Sequence, residues 1–442
     1  MLKIFTVEQA KQSILKRQPP DEFLVSQSMM DGIAKLFGQS LTPEQAVTRI
    51  LTDVRTQGDA ALKNWSQRLD NRSSETFRVP SEKLANALKF ISSEQRAALE
   101  LSSERVRRFH THQPLNSWMM QEGDGTLGQL IRPIKRVGLY VPGGTAPLPS
   151  TVIMSAVPAQ VAGVKEIVVV VPPNRATGEV ADITLAACAL VGIEEVYTLG
   201  GAQAIAALAY GTESIRAVDK IFGPGNLFVT LAKRQVFGVV GIDGLAGPTE
   251  TMVIADDNST PAWVAADLLA QAEHDVLASA ILLTPSRKLA DAVQSEVAHR
   301  VETLPRAGIL AQSLENRSGI VITRDIFEAA ELANAYAPEH LCLSVAEPWM
   351  LSEKIEAAGG VFLGEHSFEA LGDYVAGPSH VMPTNGTARF ASPLNVWDFI
   401  HIVSLVALDR ESASQLSKQA AVLARAEGLE AHAQAADERA AA

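Results

Sequence analysis

Cysteine is scarce in this sequence, whose 442 residues include only Cys188 and Cys342. Both lie in apolar runs, so a disulfide framework and a zinc site made of cysteines are excluded, and a reducing compartment fits. No hydrophobic run is long enough to cross a bilayer, because the most apolar stretch, EIVVVVPP, has the length of a single strand. The first residues contain no apolar core of a signal peptide. We therefore expect a soluble cytoplasmic protein with no membrane partner.

Positive charge is also in deficit. Lys and Arg total 38 against 50 for Asp and Glu, which gives a formal net charge of −12. A protein that binds the phosphates of nucleic acid needs a basic surface, so this composition argues against a nucleic-acid partner. Hydrophobic residues make up 47% of the chain. A globular chain of this length is expected to divide into two or more domains, each with its own core.

The hydrophobic pattern changes at Arg136. Residues 1–17 predict a short helix, and residues 26–110 predict several helices, one of them capped by Thr42. From Arg136 onward strands alternate with helices, which predicts a parallel sheet, and a second alternating series follows Thr249. The predicted fold class is therefore α/β, with one unit inserted into the other.

The stretch DLLAQAEHDVLASA, residues 267–280, predicts an amphipathic helix. Gln271 and His274 are three residues apart, so they share one face of that helix beside its apolar seam. They could be a partly buried, hydrogen-bonded polar pair, or they could form one edge of a metal site. The spacing alone leaves both alternatives open.

Two glycine-rich loops follow predicted strands, where an α/β sheet usually presents a ligand loop. VPGGTAPLPST begins at Val141, and GPGN ends at Asn226. Neither contains the G-x-G-x-x-G pattern of a dinucleotide site. The glycines allow a tight turn and close approach of a ligand, and Asn226 can cap the next helix. Turn formation and capping would explain these loops equally well.

The segment YAPEHL places two titratable side chains, Glu339 and His340, next to each other. Such a pair can divide acid and base roles, although Pro338 could also open a helix with Glu339 in its first turn. The loop-like residues 364–390 are crowded with polar groups, including Asp373, as functional loops often are. Beyond about residue 410 the chain is alanine-rich and helical in pattern. We expect this tail to pack on another element or another subunit.

Several blocks resemble histidinol dehydrogenase, in order and at compatible spacing, over roughly residues 25–435. They are VGLYVPGGTAPLPSTV, GGAQAIAALAYGT, KIFGPGNLFVTLAK, AGPTETMVIAD, DLLAQAEHD, APEHL, GDYVAGPSHVMPTNGTARF and EGLEAHA. The resemblance implies oxidation of L-histidinol to L-histidine in two NAD-dependent steps through the aldehyde. It also implies a zinc-dependent homodimer with shared active sites.

The resemblance implies roles for individual residues. Glu339 and His340 match the family's acid–base pair. One zinc ion per subunit would be held by Gln271, His274, Asp373 and the partner subunit's His432. The NAD contacts match Tyr140, Gln203 and Asn226. The substrate contacts match Thr249, Gln271, His274, His340, Asp373, Glu427 and His432.

The resemblance also implies two Rossmann-like domains and a helical tail exchanged between subunits. The predicted parts are an N-terminal helical segment (1–23), an α/β domain with the metal and catalytic residues (24–135 and 250–395), an inserted NAD-binding domain (136–249) and a dimerisation tail (396–442).

The sequence departs from the family pattern at Thr249, where serine is usual, and at Ser379 and Cys342. Relatives on this scaffold oxidise other primary alcohols, such as sulfonated diols, so a paralogous dehydrogenase is an alternative. Glu427, which can accept a hydrogen bond from an imidazole, favours histidinol. A non-catalytic ligand binder and a structural dimer scaffold are rivals from other classes. The acid–base pair and the four ligand positions argue against both.

Overall fold

The protein is described by a computed structural model that covers residues 2–17, 25–72, 76–122, 125–143, 146–174 and 176–441. In these ranges the strands are β1 (Ile4–Thr6), β2 (Trp118–Glu122), β3 (Gly125–Pro133), β4 (Arg136–Tyr140), β5 (Glu166–Val171), β6 (Glu195–Thr198), β7 (Lys220–Phe222), β8 (Gly241–Ile242), β9 (Glu250–Ala255), β10 (Ser279–Thr284), β11 (Gly319–Ile322), β12 (His340–Ser344), β13 (Gly360–Leu363) and β14 (Ile400–Leu408).

The helices are α1 (Val7–Lys11), α2 (Gln27–Phe37), α3 (Pro43–Gln57), α4 (Asp59–Asp70), α5 (Ser81–Asn86), α6 (Ser93–His110), α7 (Pro149–Val161), α8 (Asp182–Leu190), α9 (Gly201–Tyr210), α10 (Leu227–Val236), α11 (Pro261–Ala272), α12 (Arg287–Val301), α13 (Ala307–Asn316), α14 (Ile326–Tyr336), α15 (Pro348–Ser352), α16 (Glu369–Tyr374), α17 (Arg410–Ala426) and α18 (Glu430–Ala440). Among the described residues, none of these helices has the length and apolarity of a membrane span.

Two parallel sheets confirm the α/β prediction, and they share one strand order. The smaller sheet runs β6-β5-β4-β7-β8, and the larger runs β1-β11-β10-β9-β12-β13. In each unit the first strand is central, the second and third follow on one side, and the fourth and fifth follow on the other. This matches the first five strands of the Rossmann order 3-2-1-4-5-6, with the switch point between the first and fourth strands.

The N-terminal segment differs from its prediction as a helix over residues 1–17. Residues 4–6 form β1, which pairs in parallel with β11 in the register Ile4 to Ile320. Helix α1 begins only after Thr6, whose side chain forms a capping box with Gln9. Three residues are too few to show a strand period, so this edge strand escaped the sequence pattern. The predicted boundary between residues 23 and 24 lies outside the described ranges.

The helices between residues 43 and 110 pack on the smaller sheet. Trp65 of α4 shares a core with Val168 of β5, and Val106 of α6 shares the opposite core with Leu139 of β4. The sequence grouped residues 24–135 with the larger sheet instead. Both faces of a parallel sheet must be covered by helices. The hydrophobic pattern of a helix does not reveal which of two sheets it covers.

A third, antiparallel sheet has the order β14-β3-β2 and was not predicted. It carries exposed apolar side chains, including Met119 (60% exposed) and Val406 (68%). The tail forms helices α17 and α18, as predicted, and Leu423 of α17 is 66% exposed. Together the antiparallel sheet and the tail helices present a large apolar surface, the usual mark of an interaction site.

Candidate active site

The acid–base candidates lie at the amino edge of the larger sheet, where β9 and β12 begin. These strands are neighbours, and His340 pairs in register with Thr251. The helix considered for Pro338 and Glu339 is absent. Helix α14 ends at Tyr336, Ala337 has a φ of 51°, and β12 begins at His340. Ligands of open α/β sheets usually bind at the carboxyl edge, so this site uses the opposite edge.

Glu339 has a buried carboxyl group held by two donors. Its Oε2 accepts hydrogen bonds from Thr249 Oγ1 at 2.6 Å and from the backbone N–H of Glu250 at 3.0 Å. Burial raises the pKa of Glu339 to about 7, although the charge of His340 and both hydrogen bonds oppose the shift. A carboxyl group that titrates near neutrality is suited to proton transfer.

His340 is buried, and its two ring nitrogens differ. Nδ1 lies 3.2 Å from the carbonyl oxygen of Glu250, a partner that favours a proton on Nδ1. Nε2 has no hydrogen-bond partner among the described residues and lies 3.6 Å from Asp373 Oδ1. Burial lowers the pKa of His340, but the carboxylates of Glu369, Glu339 and Asp373 raise it well above its ordinary value. A buried polar atom without a partner indicates a place for a ligand.

Glu369 belongs to this site and was missed by the sequence analysis. His340, Glu369 and Asp373 each have one atom that could bind a metal ion, and these three atoms lie within 4.8 Å of one another. Glu369 Oε2 accepts from Thr251 Oγ1 at 2.5 Å, and burial raises the pKa of Glu369 to about 7. The spacing of the two residues could have revealed it. Glu369 is four residues before Asp373, so the two side chains share one face of α16.

Gln271 and His274 do not lie on one continuous helix, because α11 ends at Ala272 rather than near residue 280. The backbone N–H of His274 bonds to the Gln271 carbonyl, and Asp275 Oδ1 accepts from the N–H of Leu277. These turn contacts end the helix. Val276 and Leu277 fit the apolar period of the helix in sequence, but they lie beyond its end.

Both side chains nevertheless belong to the site. In the orientation that satisfies its amide, the Gln271 nitrogen donates to Glu369 Oε1, and the Gln271 oxygen accepts from the backbone N–H of Glu250 at 2.7 Å. Burial lowers the pKa of His274, and the charge of Asp373 opposes this shift. The charges of His274 and Asp373 therefore act on each other.

The tail residues are elsewhere in the chain's own fold. Glu427 caps the C-terminus of α17, and His432 lies on α18, which packs on α17. Both side chains are exposed. Neither forms a contact with Asp373 or His340 within this chain in the described hydrogen bonds and ion pairs.

The predicted cofactor residues surround the switch point of the smaller sheet. Tyr140 ends β4, and its hydroxyl accepts from the N–H of Gly201 at 3.2 Å. Asn226 Oδ1 caps α10 by accepting from Phe228 N at 3.1 Å and Val229 N at 3.2 Å. Its capping role is therefore confirmed, and ligand binding would add to that role.

Two features of this edge fit a bound nucleotide. Gly223 has a φ of 110°, and a Cβ there would collide with the carbonyl oxygen of Tyr140, so only glycine fits the turn. Lys233 lies beneath this turn and donates to the Gly223 carbonyl at 2.9 Å. Gln203 is fully buried, and its Oε1 has no hydrogen-bond partner in the described part of the chain.

The carboxyl edge of the larger sheet is occupied by protein. Helix α11 begins there after Thr260, whose backbone N–H and Oγ1 both bond to the carboxylate of Glu365. At the corresponding place on the smaller sheet, α7 begins after Leu148 without a side-chain cap. The two sheets have the same strand order, but at the carboxyl edge a carboxylate binds the start of the first helix only in the larger one.

Known proteins resemble this chain over most of its length. The histidinol dehydrogenase family model matches residues 38–440. Histidinol dehydrogenase of Deinococcus radiodurans is 53% identical over 417 residues, which cover 94% of this chain and 95% of that protein. The Thermus thermophilus protein of the same name is 50% identical over 398 residues, 90% of this chain and 95% of its own.

A solved structure gives the same result. The crystal structure of histidinol dehydrogenase from Elizabethkingia anophelis has a TM-score of 0.89 and 33% sequence identity, and the match covers 99% of this chain and 98% of that one. The chain therefore belongs to the histidinol dehydrogenase family and is an NAD-dependent oxidoreductase.

Proposed function

We propose that this protein oxidises L-histidinol to L-histidine in two NAD-dependent steps through L-histidinaldehyde, the last reaction of histidine biosynthesis. The observation that carries the proposal is the convergence of Glu339 and His340 with Gln271 and Asp373 at one sheet edge. The family match over nearly the whole chain supports histidinol over a sulfonated diol or another primary alcohol.

The site also fits a zinc ion. The proposed ligands are Gln271, His274, Asp373 and the partner subunit's His432, an amide, two imidazoles and a carboxylate. Carboxylate, amide and imidazole donors suit a divalent metal, and imidazole suits zinc in particular. When bound, the ion would orient the substrate and stabilise negative charge on its oxygen. Asp373 is the one proposed ligand that also belongs to the cluster of metal-ligating atoms with His340 and Glu369.

Proton transfer would be divided between two residues. A divalent cation bound at Asp373 would offset the carboxylate charges that raise the pKa of His340 and would so favour its neutral form. Neutral His340 would take the hydroxyl proton at Nε2 while a hydride leaves the carbinol carbon for NAD, because the Glu250 carbonyl holds Nδ1. Glu339 would take a proton from the water that adds to the aldehyde. A second deprotonation by His340 and a second hydride transfer to NAD would then convert the hydrated aldehyde to the carboxylate. The first oxidation removes two electrons and releases one proton, which His340 would pass to solvent before it acts again. Hydration and the second oxidation remove two more electrons and release two protons, because the product is the carboxylate.

We propose that NAD binds at the carboxyl edge of the smaller sheet, near Tyr140, Gln203 and Asn226. The switch point between β4 and β7, the glycine turn and the unpartnered Gln203 Oε1 support this position. The inserted unit would then be the cofactor domain, joined by the helices that cover its sheet.

We further propose a cytoplasmic homodimer in which each tail completes the partner's site. The exposure of Glu427 and His432 in this chain and the apolar surface of the antiparallel sheet and tail helices support this arrangement. Substrate contacts would come from Thr249, Gln271, His274, His340 and Asp373 of one subunit, together with Glu427 and His432 of the partner subunit.

The proposed reaction predicts two NADH for each histidinol consumed, measured by absorbance against loss of substrate. A simple alcohol dehydrogenase would give one, and aldehyde would accumulate. Absence of NADH with histidinol, together with turnover of another primary alcohol, would replace the proposal with the paralogue alternative.

Chelation is expected to abolish activity, and added zinc is expected to restore it.

Gln271→Ala should weaken zinc binding by at least about tenfold, because an oxygen ligand is lost. Zinc affinity is measured by competition with a chromophoric chelator, independently of turnover. Gln160→Ala is the matched control, since Gln160 is a partly buried, hydrogen-bonded glutamine in the other unit. An unchanged zinc affinity in Gln271→Ala would remove this residue from the ligand set.

A further inference from the structure

Arg17 crosses from the N-terminal segment to the catalytic edge of the larger sheet. Its Nη1 and Nη2 pair with the two carboxylate oxygens of Glu250, the second at 2.8 Å. Its Nε and Nη2 also donate to the carbonyl of Tyr336 at 2.9 and 2.6 Å, and Nη2 reaches the carbonyl of Ala337 at 3.2 Å. The guanidinium lies 3.5 Å above the centre of the Tyr336 ring. One side chain thus joins three separate parts of the sequence.

The partners of Arg17 carry the proposed acid–base pair. The N–H of Glu250 donates to the Glu339 carboxylate, and the Glu250 carbonyl is the partner of His340 Nδ1. Ala337 has a φ of 51°, a left-handed conformation that costs energy in a residue with a Cβ. The guanidinium bond to its carbonyl therefore helps to hold the turn that delivers Glu339 into the site.

The chemistry of arginine suits this position. A planar guanidinium offers five donors in a fixed fork, so it can bind a carboxylate with two bonds and still satisfy neighbouring carbonyls. Lysine has one nitrogen and cannot hold the same set of partners in one plane. Glu250 is 2% exposed, so it would remain as an unpaired buried charge without Arg17.

Arg136, a buried arginine, provides a comparison with the partly buried Arg17. Arg136 pairs with Glu195 at 2.7 Å and Glu166 at 3.1 Å in the smaller sheet. It lies at the amino end of β4, and in the described part of the chain none of its hydrogen-bond partners bonds to Glu339 or His340. Arg136 is therefore an arginine whose removal should affect stability without moving the acid–base pair.

We propose that Arg17 is a positioning residue of the active site, which orients Glu339 and His340 through Glu250 and the turn at Tyr336–Ala337. It would act through these residues and not by touching the substrate. The inference rests on the proposed roles of Glu339 and His340.

The test compares Arg17→Ala, Arg17→Lys and Arg136→Ala. We expect kcat of Arg17→Ala to fall on the order of 10²-fold, because small displacements of catalytic groups have effects of this size. KM for histidinol should change little, since uniform binding is retained. Arg17→Lys should be intermediate. Arg136→Ala should lose thermal stability but keep the kcat of the folded enzyme.

Chemical rescue separates positioning from folding. Methylguanidinium should partly restore kcat to Arg17→Ala, and methylammonium should not, because only the planar fork reproduces the lost contacts. Both compounds should leave the wild type unchanged. The double variant Arg17→Ala/Glu250→Gln removes the unpaired carboxylate, so it should recover stability and remain slow.

The outcomes distinguish this inference from the proposed function. If neither the wild type nor Arg136→Ala forms NADH from histidinol, the proposed function is wrong. If those two proteins are active and either folded Arg17→Ala or the folded double variant has the wild-type kcat, the positioning role is wrong. Equal rescue by methylguanidinium and methylammonium would also contradict it.

Discussion

Glu339→Gln is expected to stop the reaction after the first oxidation. The glutamine keeps the shape of the side chain, and its oxygen can still accept from Thr249 Oγ1 and the N–H of Glu250. It cannot take a proton from water, so hydration of the aldehyde should slow by on the order of 10²–10⁴-fold, the usual contribution of a general base. Rapid mixing with histidinol should show a burst of one NADH per site, followed by a slow phase.

Glu365→Gln is the matched control for this experiment. The Glu365 carboxylate also accepts hydrogen bonds from a threonine, through the backbone N–H and Oγ1 of Thr260, but at the opposite edge of the same sheet. This variant should oxidise histidinol and supplied aldehyde at wild-type rates. If Glu339→Gln oxidises supplied aldehyde normally, the proposed division of roles between Glu339 and His340 is incorrect.

Mixing two inactive variants is expected to restore activity if the tail completes the partner's site. His340→Asn should slow both oxidations because both need a base near the reacting oxygen. His432→Ala should remove a zinc ligand from the partner subunit's site. A mixed dimer has one site with both lesions and one with neither, so random pairing makes about a quarter of all sites intact.

The variants are unfolded together, refolded and assayed for NADH formation, with each variant refolded alone as a control. Mixed dimers are identified by native mass spectrometry. Activity of the mixture near a quarter of the wild type, with both controls inactive, supports a shared site. Mixed dimers without activity would mean that each tail serves its own subunit.

The sequence predicted the two sheets well because buried parallel strands are continuous apolar runs. The six residues of β5, for example, are EIVVVV, and four of them are fully buried. The antiparallel sheet was not predictable in this way. Strand β14 is mostly exposed in this chain and pairs with β3, more than 260 residues earlier in the sequence, so its pairing leaves no local signal.

The proposed site was predictable where a motif was contiguous, as for Glu339 and His340. Arg17 and Glu250 gave no such signal, because their importance depends on a contact between residues 233 positions apart. The end of α11 was also missed. Val276 and Leu277 continue the apolar period, but the turn around Asp275 ends the helix first.

The proposed use of opposite edges of the two sheets would have a kinetic consequence for two successive oxidations. The carboxylate of Glu365 at the start of α11 would repel a pyrophosphate, so the described part of the larger sheet offers no second dinucleotide position of the usual kind. Two molecules of NAD would therefore visit one position in succession, and the first NADH would depart before the second NAD arrives. During this exchange the aldehyde would stay at the larger sheet. The side chains that hold it there belong to that sheet and would not move when the nucleotide leaves. Separate edges for substrate and nucleotide would thus allow the oxidant to be replaced without release of a reactive aldehyde.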